Sequence, residues 1–205
     1  MFTVTKIFHS DFRVKGSKFL GYLCPANNLQ DAEKALEDIK NEHPTATHHC
    51  YAYIIDPAQP EEFANDDGEP NGTAGMPILN ALKSNKMVNV LLVAVRYYGG
   101  TKLGKAGLIE AYNLCAGAAV ENATLKEIIP IQIYSIHYEY SYQGYIDKLK
   151  NSFLLFELSS EYAETVKLSV GCKTEDISGF ERTISSFRHL LLDFKIKDRG
   201  YHISE

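Results

Sequence analysis

The sequence predicts two α+β domains in tandem, and three observations predict them. In residues 1–129, short apolar strand patterns alternate with helical ones. At the centre of that region, Val88–Val95 is an almost unbroken run of Val and Leu, the pattern of a strand buried on both faces. After Pro130 the pattern restarts and runs β-α-β-β-α-β through residues 130–205, the ferredoxin-like order. The N-terminal domain is expected to have two layers, a sheet and its helices. A chain of 205 residues, 45% hydrophobic and 23% charged, can bury a core in each part.

The elements follow in order. Phe2, Val4 and Ile7 read as an edge strand, with a turn near Lys15-Gly16. Phe19–Leu23 is a short strand ended by Pro25. Asn28 caps a helix whose stripe is Leu29, Ala32, Ala35, Leu36 and Ile39, with acids in its first turns, Lys40 near its end and Pro44 beyond. Thr47–Ile55 alternates as a strand, with Cys50, Ala52 and Ile54 opposite His49, Tyr51 and Tyr53. Asp56–Glu62, holding Pro57 and Pro60, reads as an exposed connection. Thr73 is the expected cap of a short helix to about Lys83, with Pro77 in its first turn. From about Lys105 to Ala123 a helical face collects Leu108, Tyr112, Cys115, Ala116, Ala119 and Val120. Beyond Pro130 come the strand Ile131–Tyr140, the helix Tyr142–Ser152, the strands Leu155–Tyr162 and Thr165–Cys172, the helix Glu175–Leu190 and the strand Phe194–Lys197.

Charge narrows the function classes. The net charge is −5, with −3 in residues 1–132 and −2 in residues 133–205, so neither half is a basic module. Nucleic-acid contact has to come from a local patch against the mean field. The four cysteines are far apart and form no C-x-x-C, which excludes a zinc ribbon or thioredoxin motif and fits buried free thiols. No signal peptide and no apolar run of membrane-spanning length is visible, so a cytoplasmic protein without membrane association is expected.

Two glycine-rich loops flank the central strand. The second holds Gly99, Gly100, Gly104 and Gly107 with Thr101, Lys102 and Lys105 between them, and it opens a helix. Free N–H groups and the dipole at that helix start favour an anion, and Arg96, Lys102 and Lys105 add positive charge. The alternative is tight turns and close helix–strand packing. The loop matches neither the Walker A nor the dinucleotide pattern. The first loop brings Asp66, Asp67 and Glu69 before Gly72 and Thr73. Its carboxylates can bind a cation, exchange protons, pair with Arg96 and the lysines, or form a solvated turn. No EF-hand spacing is present, and no metal or cofactor is expected. His48 and His49 point to opposite faces of their strand, and His48 is the one expected to face the loops. No G-x-S-x-G elbow and no other nucleophile can be named, so no catalytic residue is assigned. Tyr134, Tyr138, Tyr140, Tyr142 and Tyr145 form either a base-stacking surface or half-buried sheet residues.

Three blocks carry a resemblance. His43–Ile55 (HPTATHHCYAYII), Asp66–Leu79 (DDGEPNGTAGMPIL) and Val93–Tyr112 (VAVRYYGGTKLGKAGLIEAY) resemble the signature blocks of the IMPACT family, whose bacterial members are called YigZ-like. The likeness covers about Ser17 to Tyr112. One departure is Lys105, in Gly104-Lys105-Ala106-Gly107-Leu108, where the family usually keeps a small side chain. The resemblance implies a ribosomal-protein-like β-α fold for the N-terminal domain and a C-terminal domain similar to a late domain of elongation factor G. It also implies regulation of translation.

The expected site is therefore a ligand-binding one. It comprises His48, Asp66, Asp67, Glu69, Gly72, Thr73, Arg96, Tyr97, Gly99, Gly100, Lys102, Gly104 and Lys105. Two functions compete for it. One is a non-catalytic factor of translation that binds RNA, the ribosome or another phosphate-bearing partner. The other is an enzyme on a small phosphorylated or nucleotide substrate. Sequence leaves the oligomeric state open.

Overall fold

A computed structural model describes residues 1–204 and divides them between two compact units, Met1–Glu127 and one that begins at Ile128. The first unit is built on five strands in the order β2-β3-β6-β4-β5, every neighbouring pair antiparallel. These are β2 (Phe8–Val14), β3 (Ser17–Pro25), β4 (His48–Ile55), β5 (Glu61–Asn65) and β6 (Val90–Tyr97). A short β1 (Phe2–Thr3) pairs instead with Lys126 and Glu127, the start of β7 (Lys126–Tyr138).

Strand β6 is central, and Val90 through Val95 are all fully buried. A strand buried on both faces needs cover on both, and the helices supply it. On one face α1 (Leu29–Glu42) packs Ala32 and Ile39 against Tyr22, Leu91, Val93 and Val95. On the other face lie α2 (Gly75–Ser84) and α3 (Gly104–Glu121), where Tyr112 meets Cys50 and Cys115 meets Ser10. The unit has three layers rather than the expected two.

Local chemistry explains most boundaries. The Asn28 side chain accepts from the Asp31 N–H and starts α1. The β2–β3 hairpin turns at Lys15-Gly16, both left-handed (φ 45° and 82°), the geometry that a two-residue loop requires. Two expectations are corrected. The first real strand of the sheet is Phe8–Val14, beyond the Phe2–Ile7 stretch, because Ser10, Asp11 and Arg13 hide its alternation. The supposed connection before the first loop ends in β5, a polar edge strand paired on one side only.

The second unit runs β7, α4 (Gln143–Phe153), β8 (Phe156–Tyr162), β9 (Val166–Lys173), α5 (Ile177–Ser186) and β10 (Asp193–Ile203). Its sheet order is β8-β9-β7-β10, all antiparallel. Ile146 and Leu149 of α4 and Phe180 and Ile184 of α5 share one core with Tyr134, Ile136 and Tyr138 of β7. Tyr134 and Tyr138 are thus buried, donating their hydroxyls to Glu181 and Gln143. Only Tyr140 and Tyr145 of the five tyrosines stand well exposed, so they make no continuous stacking strip.

Candidate functional site

The two glycine-rich loops meet through one buried ion pair. In the β4–β6 register His48 lies opposite Arg96, at the end of the central strand. The Arg96 side chain is only 5% exposed, and its Nη1 donates to Glu69 Oε1 at 2.5 Å. Glu69, 4% exposed, also accepts from the Tyr112 hydroxyl of α3 at 2.8 Å. Arg96 Nη2 donates to Ser17 Oγ at 3.2 Å, and the same oxygen accepts the Gly99 N–H. The guanidinium lies 5.4 Å from the ring centres of both Phe19 and Tyr98. Its Nε is buried and has no partner. This brace fastens the first loop, the central strand, the β3 start and α3 to one another.

Asp66 is the second internal anchor. Its carboxylate accepts the N–H groups of Gly72, Ala74 and Gly75 at 2.8–2.9 Å. Burial works to raise the Asp66 carboxyl, but those three N–H bonds outweigh it and hold the group below the ordinary carboxylate value. Asp66 therefore does the work assigned to Thr73, whose hydroxyl instead donates to the Pro70 carbonyl. The residue at the helix start, Ala74, has no capping side chain. An acid eight positions upstream lies outside any local capping pattern, which is why sequence pointed to the nearest threonine.

Asp67 and His48 fold the loop back on β4. The Asp67 carboxylate accepts the His49 N–H, and the Asp67 carbonyl accepts from His48 Nδ1 at 2.7 Å. A carbonyl only accepts, so Nδ1 carries the proton and Nε2 is left 3.9 Å from Glu69 Oε1. His49 turns to the other face, its Nε2 bonded to the His43 carbonyl. Burial lowers the His49 imidazole below its ordinary value. Tyr97 also faces away, its hydroxyl on His43 Nδ1 at 2.9 Å, so it leaves the site that sequence gave it.

The second loop is divided in role. Gly99 is a close approach of two backbones: a Cβ there would stand 1.9 Å from the Gly16 carbonyl carbon. Gly100 and Gly104 have φ of 84° and 75° and open space around them. Lys102 and Lys105 are exposed, and among the described residues neither has an ion-pair partner. Helix α3 starts without a side-chain cap or an acid in its first turn, so no side-chain cap among the described residues takes up its leading N–H groups.

Sequence reasoning named Glu69, Arg96 and His48 but missed Tyr112, Ser17 and Cys50, which complete the brace. Tyr112 was visible only as a helix-face residue; a hydroxyl on a face otherwise made of Leu, Ala and Cys was the available signal. The one S–H of Cys50 reaches the Asp66 carbonyl at 3.0 Å, with the Tyr112 oxygen 3.3 Å from the same sulfur. Burial drives the Cys50 thiol and the Tyr112 hydroxyl far up, so neither supplies an activated nucleophile. All four cysteines are at most 1% exposed. A thiol reagent such as DTNB should leave all four unreacted in the native protein and modify all four in denaturant. Fast labelling of any one before unfolding would contradict its burial. Among the described residues no group of three or more His, Cys, Asp or Glu could hold a metal, and no helix is long and apolar enough to cross a membrane.

Comparison with known proteins bears on the same segments. A solved crystal structure of a hypothetical protein aligns over 95% of both chains with a TM-score of 0.65 and 27% identity. The chain is 32% identical over 202 residues to the IMPACT family member YvyE of Bacillus subtilis, covering 98% of this chain and 92% of that protein. It is also 32% identical over 177 residues to the IMPACT family member YigZ of Escherichia coli, covering 85% and 86%. The Impact N-terminal domain matches residues 15–120, a span that contains the ion-pair brace and both glycine-rich loops; the chain belongs to the IMPACT family.

Proposed function

We propose that this protein is a non-catalytic factor associated with translation, which grips a phosphate of RNA or of the ribosome with the loop that opens α3. One observation carries the reading. Lys102 and Lys105 stand exposed, and without an ion-pair partner among the described residues, at the start of an 18-residue helix that has no side-chain cap, the kind of helix end that favours an anion. Arg96, Glu69 and Asp66 are occupied inside the protein and brace the loop instead of touching the partner. Lys105, where relatives usually keep a small residue, adds charge to the contact. The association with translation rests on the family resemblance. A late elongation-factor-like, ferredoxin-like second domain accords with the antiparallel order β8-β9-β7-β10, and we read the first domain as a ribosomal-protein-like β-α fold with α1 added on the outer face. The absence of an activated thiol or hydroxyl in the brace favours binding over covalent catalysis.

The test is co-sedimentation with ribosomes and binding of short single-stranded RNA across a salt series. The variant is Lys102→Ala/Lys105→Ala, since both side chains are exposed and their loss leaves the brace intact. Two lost phosphate contacts should reduce the slope of log K against log salt by about 1.4. No binding by the parent protein at low salt, or an unchanged slope in the variant, would remove this loop from the contact. Nucleotides would then be screened as small phosphorylated ligands of the same loop.

A further inference from the structure

The opposite face of the first unit carries a groove unconnected with phosphate. It lies between α1 and the middle of β4 and β5, and has a volume of 190 Å³. Its floor is aromatic: Tyr53 and Phe63, paired across β4 and β5, stack at 5.5 Å and 19°, and Tyr51 lies 5.9 Å from Phe63. Leu29, Leu36 and Glu33 of α1 form the facing wall. Phe63 is 42% exposed, an apolar ring that the fold leaves partly uncovered.

The charge of the groove is one-sided. No Lys or Arg lines it. Glu33 is exposed at the rim, and among the described residues it has no hydrogen-bond or ion-pair partner. Tyr51 and Tyr53 are both pushed up, first by burial and then by nearby carboxylates that include Glu33, so its field reaches both rings. An aromatic floor under a negative rim attracts an organic cation through the ring quadrupoles and the carboxylate together.

We propose that this groove receives the guanidinium of an arginine side chain presented by a partner protein. The volume is too small for a whole cofactor and suits the tip of one side chain. Phe63, 42% exposed, and the Tyr51 and Tyr53 rings beside it offer aromatic surface on which a planar guanidinium stacks and a tetrahedral ammonium does not. Its remaining N–H groups then meet the Glu33 carboxylate. This site stands or falls separately from the phosphate loop.

The test uses the full chain, labelled with nitrogen-15 and titrated with a capped tripeptide, acetyl-Gly-Arg-Gly-amide. Matched peptides carry lysine or citrulline, the uncharged isostere of arginine, at the centre. The expected result is saturable shifts confined to the amides around Glu33, Tyr51 and Phe63, with a dissociation constant on the order of 1 mM. Citrulline should not bind, and lysine should bind more weakly. Glu33→Gln and Phe63→Leu, both at exposed positions, should each weaken arginine binding about fivefold while the rest of the spectrum stays unchanged. Equal binding of citrulline or lysine, shifts located elsewhere, or no saturable shift would overturn the assignment.

Discussion

Replacing Glu69 by alanine should destabilise the first unit by about 3–5 kcal/mol, because it leaves the Arg96 guanidinium buried and unpaired. Both partners are nearly inaccessible, so water cannot take the place of the lost carboxylate. The same change frees the Tyr112 hydroxyl, and a buried donor left open adds to the loss. Urea denaturation followed by circular dichroism measures it. The double variant Glu69→Leu/Arg96→Met is the informative partner, since removing both charges also removes their desolvation cost. It should recover most of the stability lost in Glu69→Ala. A Glu69→Ala effect below about 1 kcal/mol, the range of exposed pairs, would mean that solvent reaches the brace. An Arg96→Ala variant is for the same reason a poor probe of phosphate binding, because it unsettles the loop as well as removing a charge.

The second large effect belongs to Asp66. Asp66→Ala should cost about 2–3 kcal/mol, since the Gly72 N–H of the loop and the Ala74 and Gly75 N–H groups at the start of α2 lose a charged acceptor. The pH dependence has a definite sign. The Asp66 carboxyl is held below its ordinary value of 3.8 in the folded protein, so the unfolded chain binds the proton more readily. The resulting stability is fully present above pH 3.8 and is lost as pH falls through the lower folded value. His49, lowered by burial from 6.5, acts in the same direction at higher pH: its contribution starts to fall below 6.5. Stability should therefore decline on acidification in two stages. Asp66→Asn should flatten the lower stage and leave the upper one unchanged. If Asp66→Asn shows the same acid limb as the parent, the three N–H bonds do not set that titration.

Much of the fold was legible because its signals are local. Asn28 announces α1, the Val/Leu run announces β6, and the turn and helix patterns after Pro130 announce the second unit. The three-layer arrangement was implicit in the same β6 run, since a strand apolar on both sides demands two covers. What stayed hidden depends on distance along the chain. Asp66 caps a helix from eight residues away, and Ser17 joins Arg96 to Gly99 across some eighty. Sequence grouped Arg96 with Lys102 and Lys105 because they are neighbours, whereas folding sends the first inward and leaves the other two outside. A charge at the end of a wholly buried strand is the clue that separates them.

The strand order has a consequence for synthesis of the chain on the ribosome. β3 and β4 never pair with each other; both pair with β6, which comes after them. Until residues 90–97 leave the exit tunnel, β2–β3 and β4–β5 exist only as separate hairpins, each with an open apolar inner edge. The last strand to be made is thus the one that joins the sheet, and it closes contacts that reach from Lys18 to Tyr97 along the chain. The emerging protein carries the unmatched edge of β3, and then that of β4 as well, until β6 is made, and this is the period in which edge-to-edge association threatens it most.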